Sequence, residues 1–148
     1  MKVAEVSKED RLAAALAHGL VLASSMGALG AMVVWLLQKE KSKWAAFQAL
    51  QAAVYQFFVL LVTMAGWALW MGFFFASFIP LMSSPAMAKG AAPPPLFFIS
   101  MASMVIPLAF MGLGTLYGLV GALLTLTGQD FRYFILGDLI EKYLAKGQ

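Results

Sequence analysis

The sequence has no cysteine, a single histidine and few charged residues for its length. The absence of cysteine excludes disulfides, thiolate metal sites and thiol catalysis. Charged residues make up 11% of the 148 and hydrophobic residues 62%, whereas a soluble domain has about 25% charged residues. This composition excludes a soluble globular domain, a disordered chain and a nucleic-acid-binding domain. It predicts a protein that lives in a lipid bilayer.

The few charges lie in clusters that are separated by long uncharged runs. Three runs lack Asp, Glu, Lys and Arg altogether: Leu12–Gln38, Trp44–Ala88 and Gly90–Gln129. A charge at the centre of a bilayer costs about 2.5–3.5 kcal/mol, and a crossing helix needs about 20 apolar residues. Each run is therefore predicted to lie in the membrane. No room remains for a second, soluble domain, so residues 1–148 are expected to form a single all-α membrane domain.

The first apolar run is predicted to form two short helices, at about 8–23 and 28–38. Ser7 is the expected N-cap of the first helix. Two serines and two glycines between Ser24 and Gly30 interrupt the run, because these residues weaken a helix. Neither half is long enough to cross a bilayer alone, so the segment either crosses once as a kinked helix or returns as a hairpin.

Two long helices and an amphipathic tail follow. The long helices are expected at about 44–79 and 96–127, the second with a kink at Pro107. Prolines make the connector Pro80–Pro95 a predicted surface loop. Residues 131–146 are expected to form an amphipathic helix in the membrane interface, because apolar residues recur at helical spacing from Leu136 on.

The basic residues favour the hairpin arrangement of the first segment. If this segment returns to its own side, nine of the ten Lys and Arg residues share one face of the membrane and only Lys89 lies on the other. A single crossing would divide them four against six. Because basic residues concentrate in cytoplasmic loops, we predict that both termini are cytoplasmic and that the proline-rich loop lies outside.

Four polar residues inside the apolar runs are candidate site residues. Gln48, Gln51 and Tyr55 form one stripe on a helix, which either faces neighbouring helices or lines a polar path. His18 is either a neutral side chain bonded to a carbonyl or to a polar residue such as Gln48, or a proton relay or axial ligand of a haem or pigment. With no second histidine, no metal site is expected.

Two further groups have predicted structural roles. Gly114, Gly118 and Ala122 are small residues at four-residue spacing and are expected to let another helix pack closely, more often within the same chain than in a dimer. Arg132, Tyr133 and Lys142 are expected at the membrane interface.

No catalytic constellation is present, because the spans contain no Asp, Glu, Lys or Cys. We therefore expect a non-enzymatic protein without a cofactor, acting as a scaffold or accessory subunit of a larger membrane complex. Its partners would be the lipid bilayer and either another membrane protein or a second copy. Two alternatives stay open: a small channel or carrier lined by the polar stripe with His18, and a haem- or pigment-binding subunit.

Several segments resemble a known family. These are Arg11–Gly19, Trp35–Lys41, Ala45–Gln56 and Gly128–Tyr133. Their layout is similar to the Tic-twenty-like small membrane proteins of bacteria, mostly of unknown function, which are related to a subunit of the chloroplast inner-envelope protein translocon. The resemblance implies four membrane helices, the first two short, a place in the bacterial plasma (inner) membrane, and a part in protein translocation.

Overall fold

The computed structural model describes residues 6–146, with side chains described up to residue 142. The described chain is all helical and contains no strand, which confirms the predicted class. Within residues 6–146, seven α-helices follow one another: α1 Lys8–Gly19, α2 Gly27–Gln38, α3 Lys43–Met82, α4 Pro85–Ala88, α5 Pro95–Ala102, α6 Val105–Leu126 and α7 Leu136–Lys146. A 3-10 segment, Leu20–Met26, joins α1 to α2.

The helix of the first apolar run is interrupted at Ser24, within residues 24–30, where serines and glycines predicted a break. The Ser7 hydroxyl accepts a hydrogen bond from the backbone N–H of Asp10 at 3.1 Å and caps α1. The predicted helix 8–23 ends earlier, at Gly19, and Ser24 has a non-helical backbone (φ 51°, ψ −119°). Helices α1 and α2 pack against each other, and small residues of both join the alanines of α3 in one core: Ala17, Ala31, Ala49, Ala52 and Ala53.

The long helices differ from their predicted bounds. Helix α3 continues to Met82 with Pro80 in its last turns, and the predicted loop Pro80–Pro95 contains the single turn α4. The predicted helix 96–127 is two helices, because the chain leaves the helix at residues 103–104. Pro107 therefore lies in the first turn of α6, where its missing N–H leaves no helical hydrogen bond unmade. It does not kink a continuous helix.

The tail helix is shorter than predicted. Gly128, at φ +84°, follows the end of α6, and residues 131–135 are not helical. Helix α7 begins at Leu136, with Ile140 buried while Asp138, Glu141 and Lys142 are exposed, as an amphipathic helix requires. Leu139, on the predicted apolar face, is 61% exposed and does not pack against the bundle. The side chains of residues 143–146, part of the predicted apolar and charged faces, lie outside the described side chains.

Three helical stretches are long and apolar enough to cross a membrane in the part of the chain that the structure describes: Lys8–Gln38, Lys43–Met82 and Pro95–Leu126. Many of their large apolar side chains point outward, among them Leu29, Phe57 and Leu123, each more than half exposed. Outward apolar side chains on such helices fit a surface in contact with lipid. The protein is therefore a helical membrane protein, and the arrangement of four membrane helices, the first two as a hairpin, stays a prediction.

The helices fall into two compact units, Met1–Leu60 with Gly114–Gln148, and Leu61–Leu113. Within the second unit, the Ser77 and Ser100 hydroxyls are 2.7 Å apart, and the Trp70 indole N–H donates to the Ser100 carbonyl at 2.9 Å. These polar contacts hold α5 against α3. All the candidate site residues lie in the first unit.

Candidate functional site

The candidate site is a buried polar network that joins three separate parts of the first unit. His18 comes from the end of α1, and Gln48 and Gln51 come from the beginning of α3. Tyr133 comes from the non-helical segment between α6 and α7. His18, Gln48 and Gln51 are 0% exposed and Tyr133 is 2% exposed. Buried polar groups of this number are stable only when they form hydrogen bonds with one another or with the backbone.

Both ring nitrogens of His18 have partners. The Tyr133 hydroxyl lies 2.9 Å from Nδ1, and Oε1 of Gln48 lies 3.2 Å from Nε2. Gln48 Nε2 donates to the Asp130 carboxylate at 2.8 Å, so its Oε1, which only accepts, faces the histidine. His18 therefore carries its proton on Nε2, and Nδ1 accepts from Tyr133. This is a neutral imidazole with both nitrogens satisfied.

Gln51 ties α3 to the segment that follows α6. Its Nε2 donates to Gln48 Oε1 and to the backbone carbonyl of Phe131, each at 2.6 Å. Its Oε1 accepts from the backbone N–H of Tyr133 at 3.4 Å. Because one amide satisfies two backbone groups of a non-helical segment, Gln51 fixes the path of that segment.

An aromatic shell covers the network. The rings of Tyr55 and Tyr133 stack, with centroids 3.9 Å apart and planes within 9°. Tyr117 meets both rings edge-on, and Phe131 meets the His18 ring edge-on at 5.5 Å. The Tyr55 hydroxyl donates to the Gly114 carbonyl at 2.8 Å. The shell keeps the hydrogen bonds of the network in apolar surroundings, where each is stronger than in water.

The small residues of α6 pack within this chain. A Cβ at Gly114 would lie 3.0 Å from Val59, and one at Gly118 would lie 3.0 Å from Val21. Ala122 is half-buried, and its carbonyl accepts from Thr125. Gly121 does not belong to the four-residue spacing of Gly114, Gly118 and Ala122, but it lies nearer to His18 than they do.

Gly121 lets the aromatic shell close on the histidine. A Cβ there would lie 2.8 Å from the ring of Phe131 and 3.0 Å from Nδ1 of His18. Sequence reasoning missed this residue because a glycine in a membrane helix is common. Asp130 and Phe131 were missed as well, since they stand in the connector that follows α6.

The predicted interfacial residues have different surroundings. Tyr133 is buried in the network, because the turn at Gly128 brings it back into the bundle. Its place at the membrane interface stays a prediction. Arg132 is partly exposed and forms ion pairs with three carboxylates: Glu141 at 2.5 Å, Asp130 at 3.3 Å and Asp138 at 3.7 Å. Lys142 is exposed on α7.

The pKa values of Glu141 and Tyr133, which lie outside the candidate spans, are shifted by their surroundings. The hydrogen bond from Arg132 lowers the pKa of the Glu141 carboxyl below its usual value. Burial raises the pKa of the Tyr133 phenol above its usual value, so Tyr133 stays protonated and able to donate to His18. The described residues hold no group of three or more potential metal ligands.

The arrangement suits a structural connection better than transport or cofactor binding. A polar path needs groups that face open space, and those of His18, Gln48, Gln51 and Tyr55 bond to other parts of the same unit. An axial haem ligand needs an open ring nitrogen, and both nitrogens of His18 are occupied. Fold and site thus define a helical membrane protein with a closed polar network in its interior.

Comparison with known proteins identifies its family. The family model described as "Magnetosome magnetite crystal formation protein family", MamF/MmsF, matches residues 9–140 of this chain. The match covers most of the 148 residues, and the chain belongs to this family. No curated protein and no solved structure gave a match.

This match overturns the resemblance to the Tic-twenty-like family. The segments on which that resemblance depended contain small residues, aromatic residues and basic residues at helix ends. These features are common in the membrane helices of many families. The part in protein translocation that the resemblance implied has no support. A membrane location agrees with both the family and the spans.

Proposed function

We propose that this chain is a non-enzymatic, multi-pass protein of the magnetosome membrane, and that it contributes to magnetite crystal formation as a scaffold or accessory subunit. The family match indicates the process. The buried polar network is the observation that supports the structural role. His18, Gln48 and Gln51 are fully buried and form hydrogen bonds with one another and with the connector after α6. A network of this kind holds helices in place and leaves no polar surface for cargo.

The proposed topology has four membrane helices, with α1 and α2 as a hairpin that enters and leaves on one side. The mutual packing of α1 and α2 and the break at Ser24 support it. Both chain ends and the loop between α2 and α3 would face the cytoplasm, as the basic residues favour. The two compact units would then belong to one membrane domain.

The proline-rich loop would face the compartment in which the crystal forms. Residues 83–94 contain Lys89 and no Asp or Glu. Iron ions in oxygen-ligand sites are held by carboxylates, so this loop has no groups of that kind for iron. The contribution of the chain to crystal formation would therefore pass through the membrane or through a partner, which is either another membrane protein or a second copy.

Gene deletion and complementation in a magnetite-forming bacterium test the proposal. We expect deletion to change crystal size or number in electron micrographs, and the wild-type chain to restore both. Copurification in mild detergent from the complemented strain would identify the partner. Unchanged crystals in a strain shown to lack the protein would refute the proposed function.

A further inference from the structure

The geometry points to a binding site for the phosphate group of an anionic membrane lipid, held by Lys8 and Arg11 where α1 begins. The inference goes beyond the proposed function and depends only on the location in a bilayer. A cavity of about 620 Å³ opens at this end of the first unit. Its lining combines basic, polar and apolar side chains: Val6, Ser7, Lys8, Arg11, Leu12 and Leu126.

The two basic residues share one face of α1 with a leucine. Lys8, Arg11 and Leu12 stand at positions i, i+3 and i+4, the spacing that brings side chains together on a helix. Glu9 and Asp10 belong to the same turn but point along other faces, since each residue rotates about 100° around the axis. The cavity is therefore lined by the cations of this turn, and neither carboxylate is among its lining residues.

Arg11 is held in place by the backbone around it. Its Nε donates to the carbonyl of Val6 at 3.0 Å. The turn after α6 passes close by: a Cβ at Gly128, whose φ is +84°, would lie 2.9 Å from Arg11 Nε and 3.0 Å from Cζ. Glycine thus provides both the turn and the room for the guanidinium. The two terminal guanidinium nitrogens carry the remaining donors, in a geometry that suits phosphate oxygens.

The apolar part of the lining favours a lipid over a free anion. Leu12 and Leu126 are each about half exposed and lie near the ends of two helical stretches, Lys8–Gln38 and Pro95–Leu126, that are apolar enough to cross the membrane. A phosphate beside the two cations would place its acyl chain along these leucines. Basic pockets between membrane helices bind acidic lipid headgroups in this way.

Native mass spectrometry of the full chain in mild detergent tests the site, with phosphatidylglycerol and phosphatidylcholine as probes. We expect the wild type to retain phosphatidylglycerol preferentially. Lys8→Gln and Arg11→Gln should each lower its affinity about fivefold, and Lys8→Arg should keep it. Lys41→Gln removes an exposed charge from another loop and should leave the affinity unchanged.

Circular dichroism identifies any variant that fails to fold. If Arg11→Gln fails to fold, Lys8→Gln still tests the site, because the Lys8 side chain is exposed and its replacement leaves the fold intact. Inorganic phosphate at millimolar concentration should not displace the lipid. Displacement by phosphate would make the site an anion site without lipid selectivity and overturn the proposal. Equal retention of the two lipids, or an equal loss in Lys41→Gln, would overturn it as well.

Discussion

The hydroxyl of Tyr133 lies 2.9 Å from Nδ1 of His18, although 115 residues separate the two in the chain. This bond joins the first helix to the connector before the last one. Together with the Gln48 oxygen, which accepts from Nε2, it fixes the tautomer of a histidine in the first candidate span and makes that histidine a link between helices. Around it, the glutamines of α3 and the aromatic shell leave no polar group of the network facing open space.

Removal of the Tyr133 hydroxyl should destabilise the first unit. In Tyr133→Phe the ring keeps its stacking on Tyr55, but Nδ1 of His18 loses its donor in a buried place. We expect a loss of about 1–3 kcal/mol in the free energy of unfolding, measured by denaturant titration in detergent. Tyr117→Phe is the matched control, because its hydroxyl accepts only a 3.3 Å bond near the surface. Equal losses in the two variants would contradict the role of the bond.

A methyl group at Gly121 should force the aromatic shell away from His18. The added Cβ would lie 2.8 Å from Phe131 and 3.0 Å from Nδ1 of His18. Gly121→Ala should therefore cost about 1–3 kcal/mol, the usual range for overpacking. Gly112→Ala, on the same helix, meets nothing within 4 Å and should be neutral or slightly stabilising. Comparison of the two melting temperatures checks the prediction, which fails if Gly121→Ala melts no lower than Gly112→Ala.

Acid should loosen α7. Because Arg132 lowers the folded-state pKa of Glu141, this ion pair contributes stability above the usual pKa of 4.5, and the contribution is lost as pH falls through the lowered value. The pair is exposed, so the effect is small. The hydrogen-exchange protection factors of α7, each corrected for the intrinsic exchange rate at its pH, should be lower at pH 3 than at pH 7.

Glu141→Gln should remove most of that pH dependence, while Glu9→Gln, which changes an acid on α1, should leave it intact. A pH response of α7 that persists in Glu141→Gln would show that another group is responsible.

The cysteine-free chain offers a direct test of the proposed topology. Single cysteines at Glu9→Cys and Lys41→Cys should both react with a membrane-impermeant maleimide on intact magnetosomes, since the hairpin places both positions on the cytoplasmic side. A single crossing of the first apolar run would place them on opposite sides. Ser84→Cys should react only after the membrane is permeabilised. Labelling of only one of Glu9→Cys and Lys41→Cys on intact magnetosomes would refute the hairpin arrangement.

Local signals in the sequence predicted much of the fold. The uncharged runs correspond to the three stretches that are apolar enough to span a membrane. The serines and glycines between residues 24 and 30 anticipated the break at Ser24, and Ser7 anticipated the cap of α1. Pro107 was misjudged because its effect depends on where the helix begins. A proline in a first turn is harmless, whereas one in an interior bends the helix.

The partners of His18 were beyond sequence reasoning. Gln48 is one helix away and could be suggested as a partner, but Tyr133 and Asp130 reach the site only because the chain turns at Gly128. A tyrosine beside an arginine at the end of a span is typical of an interface, and only the tertiary path shows that this one turns inward. The resemblance failed for a related reason: features shared by many membrane helices do not distinguish one family from another.

Ion flux through reconstituted vesicles tests the central claim most directly, because a closed polar network and a polar path make opposite predictions. Vesicles of defined lipid that contain the wild-type chain should be as ion-tight as protein-free vesicles, and Gln51→Leu should not lower their conductance. A conductance that appears with the wild-type chain and disappears in Gln51→Leu would contradict the account and establish a channel.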